Sequence, residues 1–258
     1  MRILHNMDVE RLQQQQYDKL IDKYDATYGD DYSQQYRCKY IYKPMFDSIS
    51  LKGMNVLEAM SGSGQVTDYL LSHGAIVTGL DISKKSIQLF KERWPGSTAV
   101  CCSLLNSGLP SESFDCVVVM GGLHHVQPHS MQAIDEAYRL LKPGGYFCFA
   151  EPFAGSFLDT IRKIWYRHDP LFAKNEQAID IEFLKNEYAD RFEIKKEKFI
   201  GNVAYIFVMN AMILRIPAFL RRWYAPFLLR MEYFLERILG KRFSCFCLNQ
   251  WRKKYVIK

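Results

Sequence analysis

One stretch constrains this chain more than any other: Val56-Leu57-Glu58-Ala59-Met60-Ser61-Gly62-Ser63-Gly64-Gln65. Residues 54–57 read as a buried strand, and Val66, Tyr69 and Leu70 open a helix after the Ser/Gly turn. A second strand, 75–80, ends in Asp81, 23 residues beyond Glu58. A strand, a glycine loop, a helix and a strand in this order begin a parallel, doubly wound sheet. In such a unit the glycines admit a ligand close to the backbone. An acid at the next strand end can accept hydrogen bonds from both hydroxyls of a ribose. A nucleotide-like cofactor is therefore expected.

Two details separate the loop from a dinucleotide site. Thr67 stands where the third glycine of the dinucleotide fingerprint belongs, and Glu58 occupies the strand tip beside the loop. Helix-start amides favour an anion, but a carboxylate already there would repel a pyrophosphate. A ligand carrying an ammonium and a sulfonium gains from that charge. S-adenosylmethionine (SAM) has both groups, plus a ribose for Asp81. The Gly-Lys-Ser/Thr phosphate loop is absent.

With these landmarks in view, the chain resembles the class I SAM-dependent methyltransferases, in particular the small-molecule group related to quinone and sugar methyltransferases. Four elements occur in that family's order: the 56–64 stretch, Leu80-Asp81-Ile82-Ser83, Leu109-Pro110 with Ser113-Phe114-Asp115, and Leu140-Leu141-Lys142-Pro143-Gly144-Gly145. Leu123-His124-His125-Val126 follows the fourth strand, as in many members. The resemblance covers about residues 40–155. It implies a Rossmann-like α/β fold with a seven-stranded sheet. It also implies cofactor contacts from Glu58, Met60, Gly62, Gly64, Asp81, Ile82, Ser103, Leu104 and Leu123. The chain departs from the pattern in two places. Met60 replaces the first loop glycine, and 100–104 offers only Ser103, or backbone, where many members place an acid for the adenine. The competing readings are a helix cap for Glu58, an N-cap for Asp81 and a core residue for Ile82.

The expected organisation has three parts: an N-terminal helical lid (1–50), a SAM-binding domain (51–210, with an insertion at 152–190) and a helical extension (211–258). In the lid, Val9, Leu12, Tyr17, Leu20, Ile21 and Tyr24 are helically spaced after Asp8, and Tyr24, Tyr28 or Tyr36 could close over the site. Residues 192–199 and 203–209 read as an antiparallel hairpin completing the sheet. The seven cysteines have no zinc spacing and no signal segment precedes them, which suggests a reduced, cytoplasmic compartment with no metal.

Net charge is +6, unevenly placed. Residues 212–258 hold eleven Lys/Arg against two Glu, a net +9 that leaves −3 for the first 211 residues. After Pro226, Phe227, Leu228, Met231, Phe234, Leu235, Ile238 and Leu239 form an apolar stripe. Packing on the domain or a second subunit is one reading. The other is a basic amphipathic surface resting on an anionic membrane. No nucleic-acid module is visible, so RNA ranks below both.

Methyl transfer needs alignment and, for a hydroxyl acceptor, a base of near-neutral pKa. Of the six histidines only His124 and His125 follow a core strand at the ligand-binding edge. Glu151, at the end of the fifth strand, is a further candidate base, with loop capping as its alternative role. His168-Asp169 is a weaker pair. The expected activity is transfer of a methyl group to a small or lipid-linked acceptor, as O-methylation of a sugar or phenolic/quinol hydroxyl. The rivals are an RNA methyltransferase using the basic tail and a SAM-binding protein without turnover.

Overall fold

The computed structural model describes residues 29–168, 177–211 and 214–255, with Gln14, Gln15, Asp18 and Ile21, and backbone alone at 165–168 and 218. The expected helix from Asp8 to Tyr24, apart from Gln14, Gln15, Asp18 and the buried Ile21, the lid candidates Tyr24 and Tyr28, and the His168-Asp169 side chains lie outside these residues.

Seven strands form one sheet: β1 (Asn55–Ala59), β2 (Ile76–Asp81), β3 (Thr98–Cys101), β4 (Phe114–Met120), β5 (Leu141–Pro152), β6 (Phe192–Ile200) and β7 (Phe246–Lys253). Their order across the sheet is β3-β2-β1-β4-β5-β7-β6. The first five are parallel, and β7 runs antiparallel to both β5 and β6. Parallel strands need crossover helices, and these cover both faces. They are α1 (Asp31–Tyr36), α2 (Lys43–Phe46), α3 (Thr67–Ser72), α4 (Lys84–Arg93), α5 (Ser130–Leu140), α6 (Phe157–His168), α7 (Ile181–Glu187) and α8 (Ala218–Ile238). A wider, π-type helical segment, Arg37–Tyr42, joins α1 to α2.

Strand side chains alternate between faces, so the core divides in two. Val56, Cys116, Val118, Cys148 and Ala150 pack on one side with Tyr36, Tyr40, Leu70 and Phe90. Leu57, Val117, Val119, Phe147 and Phe149 pack on the other with Ile134, Ala137 and Trp251. Cys116 and Cys148 are free thiols inside the first cluster, as their apolar context predicts.

The sheet is completed differently from the expected hairpin. Residues 192–200 do form a strand, but Tyr205–Met209 is helical, with Ala204, Tyr205 and Val208 turned to the core. The partner strand is β7, drawn from within the segment expected to be a helical extension. All of its residues but Arg252 are buried, although Asn249, Gln250 and Lys253 are polar, so no alternation of apolar and polar residues marks the strand in sequence. Its basic end is internal too. Lys253 is 5% exposed and donates to the carbonyls of Tyr138 and Leu141 at 3.0 and 2.7 Å, satisfying the end of α5.

The tail helix differs as well. It begins at Ala218 and runs through Pro226 rather than starting after it. Pro226 and Arg222 are both exposed, so the carbonyl that the proline leaves unbonded can turn to water. Arg221, by contrast, is buried and pairs with Asp30 and with Ser33 Oγ. It is a structural cation tying α8 to α1.

Trp251 is fully buried against Phe149 and Phe192, at ring-centroid distances of 5.0 and 5.6 Å. Trp251→Ala should therefore cost about 3–5 kcal/mol in urea unfolding. A loss below 1 kcal/mol would show that β7 does not anchor the sheet.

Candidate functional site

The carboxyl ends of β1, β2, β4 and β5 meet along one edge, and each of three of these strands ends in a buried acid. Glu58, 2% exposed, accepts from the Val66 amide at 2.9 Å and the Thr67 hydroxyl at 2.5 Å. The threonine that displaces the third fingerprint glycine is thus its partner. Glu58 caps the start of α3, the simpler of the two roles expected for it.

The loop between them turns on positive φ values at Met60 (55°), Gly62 (55°) and Gly64 (90°). Met60 holds the left-handed conformation a glycine would take freely, and its side chain packs over Gly122. The two glycines serve different ends. A Cβ on Gly64 would lie 2.4 Å from Trp94 Nε1, so the close approach there is made by a tryptophan. A Cβ on Gly62 would meet nothing within 4 Å, leaving its α-carbon facing open space.

Asp81 closes the same space from β2. One carboxylate oxygen accepts from the Gly62 amide at 2.8 Å and the other from the Ser83 amide at 2.8 Å. Each oxygen keeps a further lone pair, a pattern suited to two adjacent hydroxyls. Ile82 is half-buried. Ser103 Oγ accepts from the Leu105 amide at 3.0 Å, which folds the turn after β3, while Leu104 and Leu123 are buried in the second core cluster.

Glu151 is fully buried, and both oxygens are engaged. One accepts from the Gly122 and Leu123 amides at 2.7 and 2.8 Å; the other accepts from the His124 amide at 3.3 Å and faces His124 Nδ1 at 2.7 Å. With three amides donating, and the imidazole as a fourth donor when Nδ1 carries the proton, the carboxylate has its acceptor positions filled. Glu151 is accordingly a positioning group for the β4 loop and His124 rather than the general base considered for it. The His124 and His125 rings lie against each other, 3.9 Å between centroids, and both residues are under 10% exposed.

Sequence reasoning expected the N-terminal segment to close over the site but did not name the residues that touch it. Arg37, buried, donates to Gln65 Oε1 at 2.6 Å, and Tyr42 donates to the Gln65 carbonyl at 2.8 Å. Ser83 donates to Asp18 at 2.5 Å. The segment thus touches the loops after β1 and β2 through an arginine and an aspartate, in a stretch where tyrosines drew the attention. Tyr36, a lid candidate, is instead fully buried and donates to Glu232 at 3.0 Å.

Beside the end of β5 lies a cavity of about 140 Å³, lined by Pro152, Leu158, Ile161, Tyr205, Ile206 and Leu214, with Asp159, Arg162, Asn210 and Cys245 as its polar members. Apolar walls with few polar groups suit an apolar ligand bearing one polar end.

Burial raises the Glu58 carboxyl from 4.5 to about 7, against the lowering effect of its donors and of Arg37. Burial likewise raises Glu151 to about 7, and raises Asp81. An acid raised on folding stabilises fully below its unfolded value and loses that contribution as pH climbs through the folded one. Urea-unfolding stability should thus include a Glu58 contribution that fades between pH 4.5 and about 7. Glu58→Gln should flatten that fall, and a slope the substitution leaves untouched would mean Glu58 ionises normally.

Residues 57–149 match the family model described as a methyltransferase domain. Phthiotriol/phenolphthiotriol dimycocerosates methyltransferase of Mycobacterium tuberculosis (strain ATCC 25618 / H37Rv) is 36% identical over 115 residues, covering 43% of this chain and 42% of the relative. Ubiquinone biosynthesis O-methyltransferase of Coxiella burnetii (strain Dugway 5J108-111) is 33% identical over 118 residues, 44% of this chain and 48% of the relative. The chain thus spans less than half the length of these curated relatives. Among solved structures, a SAM-dependent methyltransferase from Thermotoga maritima superposes with a TM-score of 0.62 at 17% identity, covering 93% of this chain and 99% of the other. The [4+2]-cyclase SpnF superposes with a TM-score of 0.64 at 16% identity, over 95% and 97%. At such identities the likeness concerns the fold alone, and a cyclase among the neighbours leaves the reaction open.

Proposed function

We propose that this chain, whose residues 57–149 match a methyltransferase-domain family model, transfers a methyl group from SAM to a small or lipid-linked acceptor. The observation that carries the cofactor reading is Asp81. It is a buried carboxylate with acceptor capacity on both oxygens, beside a glycine whose α-carbon faces open space. Bound there, SAM would supply an electrophilic methyl group. Asp81 would hold its ribose, Ile82, Leu104 and Leu123 would offer apolar surface, and the amides after β1 would approach it closely. Glu58 acts on this site indirectly, by shaping the loop through Val66 and Thr67.

For a hydroxyl acceptor the chain must also remove a proton. The Glu151 contact turns His124 Nδ1 inward, so a proton taken from the acceptor would go to Nε2 of that ring. His125, stacked on it, is the second candidate base. The apolar cavity beside Pro152 supports an acceptor with a hydrocarbon part, and the two curated relatives are a phthiotriol/phenolphthiotriol dimycocerosates methyltransferase and a ubiquinone biosynthesis O-methyltransferase. We favour O-methylation of a phenolic, quinol or sugar hydroxyl. A lipid-linked acceptor would reside at a bilayer, so the reading includes a peripheral position with the exposed basic residues of 212–258 toward an anionic surface. No described helix is long and apolar enough to cross a membrane.

Asp81→Ala should weaken SAM binding by an order of magnitude or more in calorimetry, from hydrogen bonds worth about 1.5–3 kcal/mol; undiminished affinity would remove Asp81 from the site. Incubation with methyl-labelled SAM and fractionated extract should move label into the lipid fraction. His124→Ala or His125→Ala should lower kcat about 10²–10⁴-fold with little change in SAM affinity. Label confined to nucleic acid, or no turnover at all, would favour the two rival readings.

A further inference from the structure

The outward face of α8 is the largest feature that the candidate site does not use. At about 100° per residue, Phe219, Trp223, Phe227, Phe234 and Ile238 fall within an arc of about 100°. All five are exposed, from 58% at Phe234 to 76% at Ile238. Single exposed apolar residues are ordinary, whereas a contiguous stripe of four aromatics and an isoleucine marks an interaction surface. This stripe shares Phe227, Phe234 and Ile238 with the one read from sequence, whose other members Leu228, Met231, Leu235 and Leu239 are partly covered.

Charge on this face is of one sign. Arg222, Arg230 and Arg237 are exposed on or beside the arc, and exposed Lys241 and Arg242 follow the helix. Both carboxylates of the helix point inward. Glu232 is buried and accepts from Tyr36 and from the Asn202 and Ala204 amides. The largely buried Glu236 accepts from Lys198 at 2.8 Å. Two of the arginines stack on aromatic rings, Arg222 on Trp223 at 5.2 Å and Arg237 on Tyr233 at 4.1 Å. Such pairs place a wet cation beside a ring that tolerates apolar contact. The surface also continues onto α6, where Phe157 touches Phe243 at 6.2 Å and Ile161 and Ile164 are exposed. Ile161 is at the same time a wall of the apolar cavity.

We propose that this face seats the protein peripherally on a bilayer rich in anionic lipid. The aromatic stripe enters the interface, and Arg222, Arg230 and Arg237 meet the headgroup phosphates. A symmetric contact with a second copy would set this cationic helix face against itself, with no exposed acid on it to pair the arginines. An anionic bilayer satisfies both the apolar and the charged halves of the face. The inference deepens the peripheral position given above, but it does not depend on methyl transfer. Arg221 and Lys253, buried and bonded within the protein, take no part.

The test is flotation of the full chain with vesicles of equimolar phosphatidylglycerol and phosphatidylcholine, against vesicles of phosphatidylcholine alone. The wild type should float with the anionic vesicles, float poorly with the neutral ones, and lose binding as salt is raised. Trp223→Ser with Phe227→Ser should reduce the floated fraction about ten-fold or more. Arg222→Glu with Arg230→Glu should do the same for the anionic vesicles. Thermal unfolding and SAM calorimetry verify that the variants remain folded, and the latter reads the cofactor site separately from the surface. A wild type absent from the floated fraction, or a Trp223/Phe227 variant that floats undiminished, would overturn the proposal. So would a concentration-dependent dimer in sedimentation velocity that Trp223→Ser dissociates, because the face would then belong to a second copy.

Discussion

Three carboxylates buried at the ends of β1, β2 and β5 hold the working edge of this molecule together. Glu58 gathers the start of α3, Asp81 gathers the amides of Gly62 and Ser83, and Glu151 gathers three amides of the β4 loop and one imidazole. Loops that leave parallel strands carry amides with no sheet partner, and a buried amide left unpaired costs about 1–3 kcal/mol. An acid at the strand tip satisfies several of them at once and sets where the loop turns. The cofactor reading depends on this arrangement, because it holds Asp81 against the amide of Gly62, whose α-carbon faces open space. Burial explains why all three acids are raised from their ordinary values.

The second organising fact is the late arrival of β7 between β5 and β6. The chain completes β6, leaves the sheet for the 203–209 helix and α8, and returns to fill the gap. That excursion keeps α8 beside α1, bound through Arg221 to Asp30 and through Glu232 to Tyr36. It also divides the positive charge of the tail in two. Arg221 and Lys253 are buried ties, whereas Arg222, Arg230 and Arg237 remain outside. A basic segment in sequence is thus two populations in space, and only one of them can meet a partner.

The core strands, the glycine loop and Asp81 were legible because local pattern and local chemistry agree there. A buried parallel strand is a run of aliphatic residues, and its turn requires residues that accept a positive φ. Where several distant groups compete for one atom, the pattern fell silent. Glu151 read as a candidate base because position alone cannot count the donors around a carboxylate. Gly64 read as a ligand contact, though Trp94, 30 residues away, takes the space. The 203–209 run and β7 exchanged roles because the first is a short apolar stretch, which helix and strand accept equally well, and the second buries Asn249, Gln250 and Lys253 without the alternation that marks a strand.

By itself, then, the sequence determined the class of fold and the edge of the sheet that carries the glycine loop and the strand-end acids. These follow from residues close together in the chain, whose spacing sets their geometry through one or two turns of backbone. The tertiary structure alone decided which strand closes the sheet, which arginines are spent on internal pairs, and which face of α8 is left to solvent. Those outcomes depend on burial, and burial arises from contacts between segments some 190 residues apart, such as Asp30 with Arg221 and Tyr36 with Glu232.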